Sequence, residues 1–173
     1  STFKFISSSP AIKDRDRYMP NGFIPYTIDS SVTGDNLNHI KEAIKQINDE
    51  TAVVLFERTD ESPYLEIVNK YVGCFTPEVG AASSQANMVQ INVELCVVQP
   101  ELKTKSALHE LLHALGLGHT QTREDRDKHV TIHFDKMDQE GKEQSKLADV
   151  NLYDDCLKYD YLSVMHGKRL AGC

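Results

Sequence analysis

His109, Glu110, His113, Gly116 and His119 are spaced so that together they can build a metal centre. Two histidines four residues apart on a helix lie one turn apart on roughly the same face, so both imidazoles can reach one ion. Glu110, beside His109, then sits where it can meet a water on that ion. Leu108, Leu111, Leu112 and Leu115 supply the apolar side that seats such a helix in a core. Gly116 falls where helices often end on a left-handed residue, a conformation glycine adopts at no steric cost. The turn would swing the chain back and bring His119 in as a third nitrogen. Three protein ligands plus water is the arrangement of a catalytic zinc, whereas a structural zinc is usually closed by four. A bare His-Glu-x-x-His arises by accident in Leu-rich helices, but five fixed residues at these intervals are rarely coincidental.

The elements that must position these side chains are legible from periodicity. The metal-binding helix is expected from about Glu101 or Lys103 to Leu115, introduced by Pro100. Residues 33–50 place Leu37, Ile40, Ile44 and Ile47 on one face of a second amphipathic helix, with Thr33 or Asp35 as N-cap. His39 lies on that helix and reads as a surface or core-edge histidine. Residues 24–28, 53–56, 64–68 and 88–95 read as strands, the middle two separated by a turn-rich stretch ending in Pro63. The segment 73–84, which carries Cys74, reads as a loop. Residues 1–19 read as a polar N-terminal arm, and 135–150 as a polar stretch with a turn at Gly141.

The 173 residues fit one domain large enough to bury a core, and 40% hydrophobic with 26% charged residues are ordinary globular values. A net charge of −7 argues against nucleic-acid binding, which would call for a basic stripe. No run of eighteen apolar residues is present, so no membrane span is expected. The opening residues contain no apolar stretch of the secretory-signal type. Cys74, Cys96, Cys156 and Cys173 make an even set, which suits two disulfides in an oxidising compartment or four buried thiols in a reducing one.

Beyond the third histidine, residues 120–132 follow the pattern H-E-x-x-R-x-D-R-D-x-x-V-x-I from His119 onward, with Thr120 in place of the Glu. Ser163, Val164, Met165 and His166, preceded by Tyr159, Asp160 and Tyr161, look like a Met-turn, and residues 20–26 look like the start of a catalytic domain. On these residues the chain resembles the astacin-like zinc endopeptidases of the metzincin superfamily, over about residues 11 to 169. The resemblance implies an α+β fold. It would have a mixed, mostly antiparallel sheet, two long helices above the cleft, and a shortened irregular C-terminal subdomain. A single domain over 1–173 would divide into the arm at 1–19, an upper subdomain at about 20–119 and a lower one at about 120–173. The strand at 88–95 would be the cleft edge that pairs with substrate backbone. The resemblance also implies a Cys74–Cys96 disulfide, leaving Cys156 for Cys173, and internal ion pairs within the charged run 123–128 that tie the two halves together.

The expected function is zinc-dependent hydrolysis of peptide bonds in extended protein or peptide segments, by a secreted monomer without nucleic-acid or membrane partners. Zn2+ held by His109, His113 and His119 would lower the pKa of its water and polarise a carbonyl. Glu110 would take the water's proton and pass it to the leaving amine. The alternative is a zinc-containing binding or regulatory protein with little peptidase activity. Four departures from the family pattern bear on that choice. Gly167 follows His166 where the family has a Tyr, and Thr120 replaces the Glu that anchors a mature N-terminus. Ala52 replaces a bridging cysteine, and only a short stretch follows His166. Lys103 and Lys105 are either specificity groups near the substrate or solvated lysines.

Overall fold

The computed structural model describes residues 9–13, 20–77, 79–80, 86–92, 96–97, 99–149, 153–154 and 158–167. In chain order the elements are β1 (Ala11–Ile12), β2 (Phe23–Ile28), α1 (Gly34–Glu50), β3 (Val54–Glu57), β4 (Tyr64–Val68), β5 (Ala86–Gln90), α2 (Pro100–Ala114), α3 (Gln139–Gln144) and β6 (Tyr153–Asp154). They fall into two compact units, one of Asp14–Gly116 and one of Ser1–Lys13 with Leu117–Cys173. Cys156 and Cys173 lie outside the described residues, and so does their pairing.

The first unit is an α/β layer. α1 carries Ile40, Ala43, Ile44 and Ile47 at intervals of three and four, and all are buried, as the periodicity predicts. Thr33 is its N-cap residue in extended conformation, without a side-chain cap bond. α1 packs on β3 and on α2, and α2 packs on β5. Ile24, Leu55, Leu65, Ile67 and Val89 are among the buried strand positions. At roughly 1.5–3 kcal/mol for each large side chain fully removed from water, this apolar layer is the main stabilising term of the unit.

The sheet order is β3-β2-β4-β5, and every pairing in it is parallel. The expectation of a mostly antiparallel sheet is therefore corrected. Side-chain alternation says which residues face the core but nothing about strand direction. The loop 58–63 also looks too short to join parallel strands, which usually need a crossover of a dozen or more residues. Register resolves this: Tyr26 pairs with Glu57, the last residue of β3, and with Leu65, near the start of β4. The chain therefore passes from one side of β2 to the other at one level, with no return trip. Antiparallel pairing among the described residues is confined to β1 with β6 and to the single bridges Ala11–Leu117 and Phe75–Gln90.

Both flanks of this sheet are occupied by polar partners. Asn48 of α1 donates to the Leu55 carbonyl and accepts from the Leu55 amide (2.9 and 2.7 Å), which blunts edge strand β3. On the other flank Phe75 exchanges two backbone bonds with Gln90, each 3.0 Å. β5 is still the edge strand of the sheet on this side, as expected for the stretch 88–95, and Phe75 meets it only through this single bridge at Gln90. The Gln90 side chain, fully buried, accepts from the amides of Lys70 and Tyr71 (3.0 and 3.1 Å) and donates to the carbonyls of Tyr71 and Gly73 (2.8 and 3.3 Å). One amide group thus shapes the whole turn before Cys74.

The second unit is held differently. Its buried groups include Thr120, Gln121, Arg123, Arg126 and Ser145 beside Ile12 and Met165. Arg123 forks onto Asp125 at 2.8 and 3.0 Å, and Arg126 donates to the carbonyls of Gln121 (2.9 Å) and Ser145 and pairs with Asp127 at 3.0 Å. The two arginines of the charged run are thus turned inward onto their own unit, while Glu124, Asp127 and Lys128 stay exposed. Thr120 meets Ser9 hydroxyl to hydroxyl at 3.0 Å, and Gly118 donates to the Pro10 carbonyl at 2.7 Å.

Removing the Gln90 amide should cost more than a surface change, because it takes away four hydrogen bonds to backbone groups of Lys70, Tyr71 and Gly73, each worth about 0.5–1.5 kcal/mol. Gln90→Leu is expected to lower unfolding free energy by about 2–4 kcal/mol, with faster amide exchange at Lys70 and Tyr71. Exchange measured by NMR at those two amides that matches the wild type would contradict this role.

Candidate metal centre

α2 begins with Pro100 in its first turn, where a missing N–H costs nothing. Its second half is buried nearly all round: Ala107, Leu108, Glu110, Leu111, Leu112, His113 and Ala114 are all buried. A helix enclosed in this way holds its side chains in fixed rotamers. His109 and His113 project from it with Nε2 atoms 3.0 Å apart and rings edge to face, centroids 4.6 Å apart. The helix then closes on Gly116, whose φ is 99° and whose amide donates to the His113 carbonyl at 2.9 Å. This is the left-handed stop read from the motif.

One ligating nitrogen from each of His109, His113 and His119 lies within 4.8 Å of the others. With zinc–nitrogen bonds of about 2.0–2.1 Å, two ligands of a tetrahedron stand about 3.3 Å apart, so the His109–His113 spacing already suits one ion. A set of three neutral nitrogens that leaves a fourth position open fits zinc. The predicted ligand set is therefore brought together as a group.

Glu110 is 8% exposed. Burial pushes its carboxyl up to about 7, against a smaller downward pull from the Thr76 hydroxyl. That hydroxyl lies 3.0 Å from Glu110 Oε2 and 2.9 Å from the Glu110 carbonyl oxygen. No motif pointed to Thr76. Its one sequence cue is proximity to Cys74, whose bond to Cys96 is formed with Cα atoms 5.9 Å apart.

The Met-turn is present. Met165 is fully buried, its carbonyl accepts from the Thr120 amide at 3.0 Å, and the His166 amide donates to the Ser163 carbonyl at 3.0 Å. Gly167 donates to Gln121 Oε1 at 2.6 Å, and a Cβ at this glycine would lie 2.7 Å from Gln121 Nε2. A side chain after His166 therefore requires Gln121 to move. Tyr159 and Tyr161, the nearest aromatic substitutes in sequence, are engaged with each other and with His129. Tyr159 stacks on His129 at 4.5 Å, and Tyr161 places its hydroxyl 3.3 Å from His129 Nδ1. His166 Nδ1 faces the Gly167 carbonyl at 3.0 Å, so it carries the proton, and Nε2 accepts from the Tyr159 hydroxyl at 2.8 Å. Burial raises that phenol to about 12, which keeps it a donor near neutrality.

His39 bonds Thr104 at 2.8 Å, joining α1 to α2, and is a structural histidine. Lys103 lies 3.7 Å from Asp35 with little exposure, so its charge is engaged within the fold. The idea that it faces substrate has no support in these contacts.

A buried carboxyl with a raised pKa favours the folded state below its unfolded value of 4.5, and that advantage is lost as pH rises through about 7. In zinc-free protein, wild type should lose about 3 kcal/mol relative to Glu110→Gln between pH 4 and 8. Parallel denaturation profiles for the two proteins would show that this carboxyl is not desolvated.

The geometry has relatives. Residues 11–172 match the family model for Astacin, a family of peptidases. High choriolytic enzyme 1 of Oryzias latipes is 33% identical over 148 residues, covering 86% of this chain and 51% of that protein. Zinc metalloproteinase nas-8 of Caenorhabditis elegans is 33% identical over 159 residues, 90% of this chain and 37% of its own. Human Tolloid-like protein 1 is 32% identical over 158 residues, 89% of this chain and 15% of its own. The chain thus spans about half, or less, of the length of these relatives. Among solved structures, the same medaka protein, described as a hatching enzyme zinc-protease, superposes with a TM-score of 0.75 at 30% identity, covering 90% of this chain and 76% of that one. Myroilysin shares the fold at a TM-score of 0.60 and 13% identity, over 91% and 82% of the two chains. With the family model spanning nearly the whole sequence, the chain belongs to the astacin family of peptidases.

Proposed function

We propose that this chain is the catalytic part of a secreted, zinc-dependent endopeptidase that hydrolyses peptide bonds in extended protein or peptide segments. The observation that carries this reading is the convergence of three imidazole nitrogens with a buried carboxyl on the same helix as two of them. A binding module has no use for Glu110. Secretion is supported by the Cys74–Cys96 disulfide, a bond that persists in oxidising compartments. Among the described residues no helix is long and apolar enough to cross a membrane.

When bound, zinc supplies Lewis acidity and a water that loses its proton near neutral pH. His109, His113 and His119 would hold the ion through neutral ring nitrogens. Glu110 accepts the proton of the attacking water on a carboxylate oxygen and delivers it to the nitrogen of the leaving amine, so one carboxyl serves as base and then as acid. The apolar enclosure of α2 keeps that carboxyl away from bulk water and raises its affinity for the proton.

The second reading, a zinc-holding binding protein with feeble proteolysis, is favoured by Gly167. Where the family has a tyrosine that stabilises the oxyanion, this chain has no side chain, and Gln121 fills the space. Loss of one such donor costs about a hundred- to a thousandfold in turnover.

Purified protein should hold close to one zinc per chain, and His113→Ala should lose it. Cleavage of a mixed peptide library should be measurable, abolished by chelator, and reduced by at least about a thousandfold in Glu110→Ala, which removes the base. Zinc at full occupancy with no cleavage of any peptide would select the binding-protein reading. Inserting Tyr after His166 should raise turnover more when combined with Gln121→Ala than alone. Equal gains from both would show that Gln121 does not close that position.

A further inference from the structure

Residues 74–77 and 79–80 are fastened at several points. Cys74 is bonded to Cys96, Phe75 exchanges two backbone bonds with Gln90, and the Gly80 amide donates to the His113 carbonyl at 2.9 Å. Between these fixed points stands Thr76, a β-branched residue with few allowed rotamers. Its hydroxyl meets Glu110 twice, at the carbonyl oxygen and at Oε2.

We propose that Thr76 is a positioning residue for the Glu110 carboxylate, holding Oε2 so that Oε1 is the oxygen that takes and returns the proton. The inference rests on the peptidase reading above and deepens it. A glutamate side chain has three rotatable bonds, and a base that wanders spends most of its time off the line of proton transfer. A hydroxyl has one proton, which Thr76 shares between the Glu110 carbonyl oxygen and Oε2, and the bond to Oε2 leaves Oε1 as the oxygen free to accept. Because Glu110 is largely buried, water has little access to its carboxylate. When Glu110 has taken its proton on Oε1, the bond at Oε2 survives, and the carboxylic acid keeps its orientation until the amine collects the proton. The fastened backbone matters here: a donor on a drifting loop would follow the carboxylate instead of fixing it.

The test compares Thr76→Val, which keeps the shape and removes the hydroxyl, with Thr76→Ser, which keeps the hydroxyl. In Thr76→Val, kcat should fall about ten- to a hundredfold, the range for a hydrogen bond to a charged group, with KM and zinc content unchanged. Thr76→Ser should recover most of the loss. A second readout needs no activity. In zinc-free protein, the 13C resonance of the Glu110 carboxyl, assigned by its loss in Glu110→Gln, should shift in Thr76→Val and stay in place in Thr76→Ser. Wild-type kcat in Thr76→Val, an equal loss in both variants, or an unmoved resonance would overturn the proposal. A wild type that cleaves nothing would sink the peptidase reading, while the resonance would still decide whether Thr76 holds the carboxyl.

Discussion

One backbone conformation decides whether the three histidines can meet. At Gly116 the chain enters the left-handed region, with φ of 99°. An L-residue with a side chain would be strained there by about 1–2 kcal/mol. The turn ends α2 just after the two-histidine helix face is complete, and the boundary between the two compact units falls at the same residue. Upstream, the ligands sit on a helix made rigid by burial. Downstream, the chain is extended at His119 before the short 3-10 turn at Thr120–Thr122. The spacing of the motif is therefore a statement about backbone geometry as much as about ligands.

That is why the site is largely legible from sequence. Ligand spacing and the Gly116 stop are local, and local geometry is carried by residue type. The apolar stripe of α1 is legible for the same reason. Strand direction is not, because alternation in β2, β4 and β5 is the same whichever way a neighbour runs. Thr76 and Gln90 are invisible on different grounds. Each acts on partners far away or around a turn, through a hydroxyl or an amide that any surface residue could carry. At the run 123–128 composition and family resemblance point different ways, and the ion pairs that the resemblance implies are present within one unit. Its composition suits a solvated face, yet Arg123 and Arg126 are buried, because carboxylates and carbonyls of the same unit receive their N–H groups.

The two units thus rest on different physics. Residues 14–116 bury aliphatic side chains between helices and a parallel sheet. In the other unit, the described interior is built largely from guanidinium, amide and hydroxyl groups, whose hydrogen bonds are stronger in a low dielectric than in water. Gln121 accepts two of them. It gives its carbonyl to Arg126 and its side-chain oxygen to Gly167, and so it joins the ion-pair region to the turn that carries Met165.

The strand order has a consequence for how the molecule is made. β2 lies inside the sheet, yet both its neighbours come later in the chain: Ile24 waits for Leu55, and Tyr26 waits for Leu65. Contacts of long sequence separation require loop closure before any of them stabilises the chain, and such topologies fold slowly. During synthesis β2 emerges first and stays unpaired while α1, β3 and β4 follow. The helix that carries His109 and His113 packs on β5, itself paired only after β4 is in place. The ligand helix packs on α1 as well as on β5, so the support for His109 and His113 comes from elements far apart in the chain, and closing those long loops is part of building the metal centre.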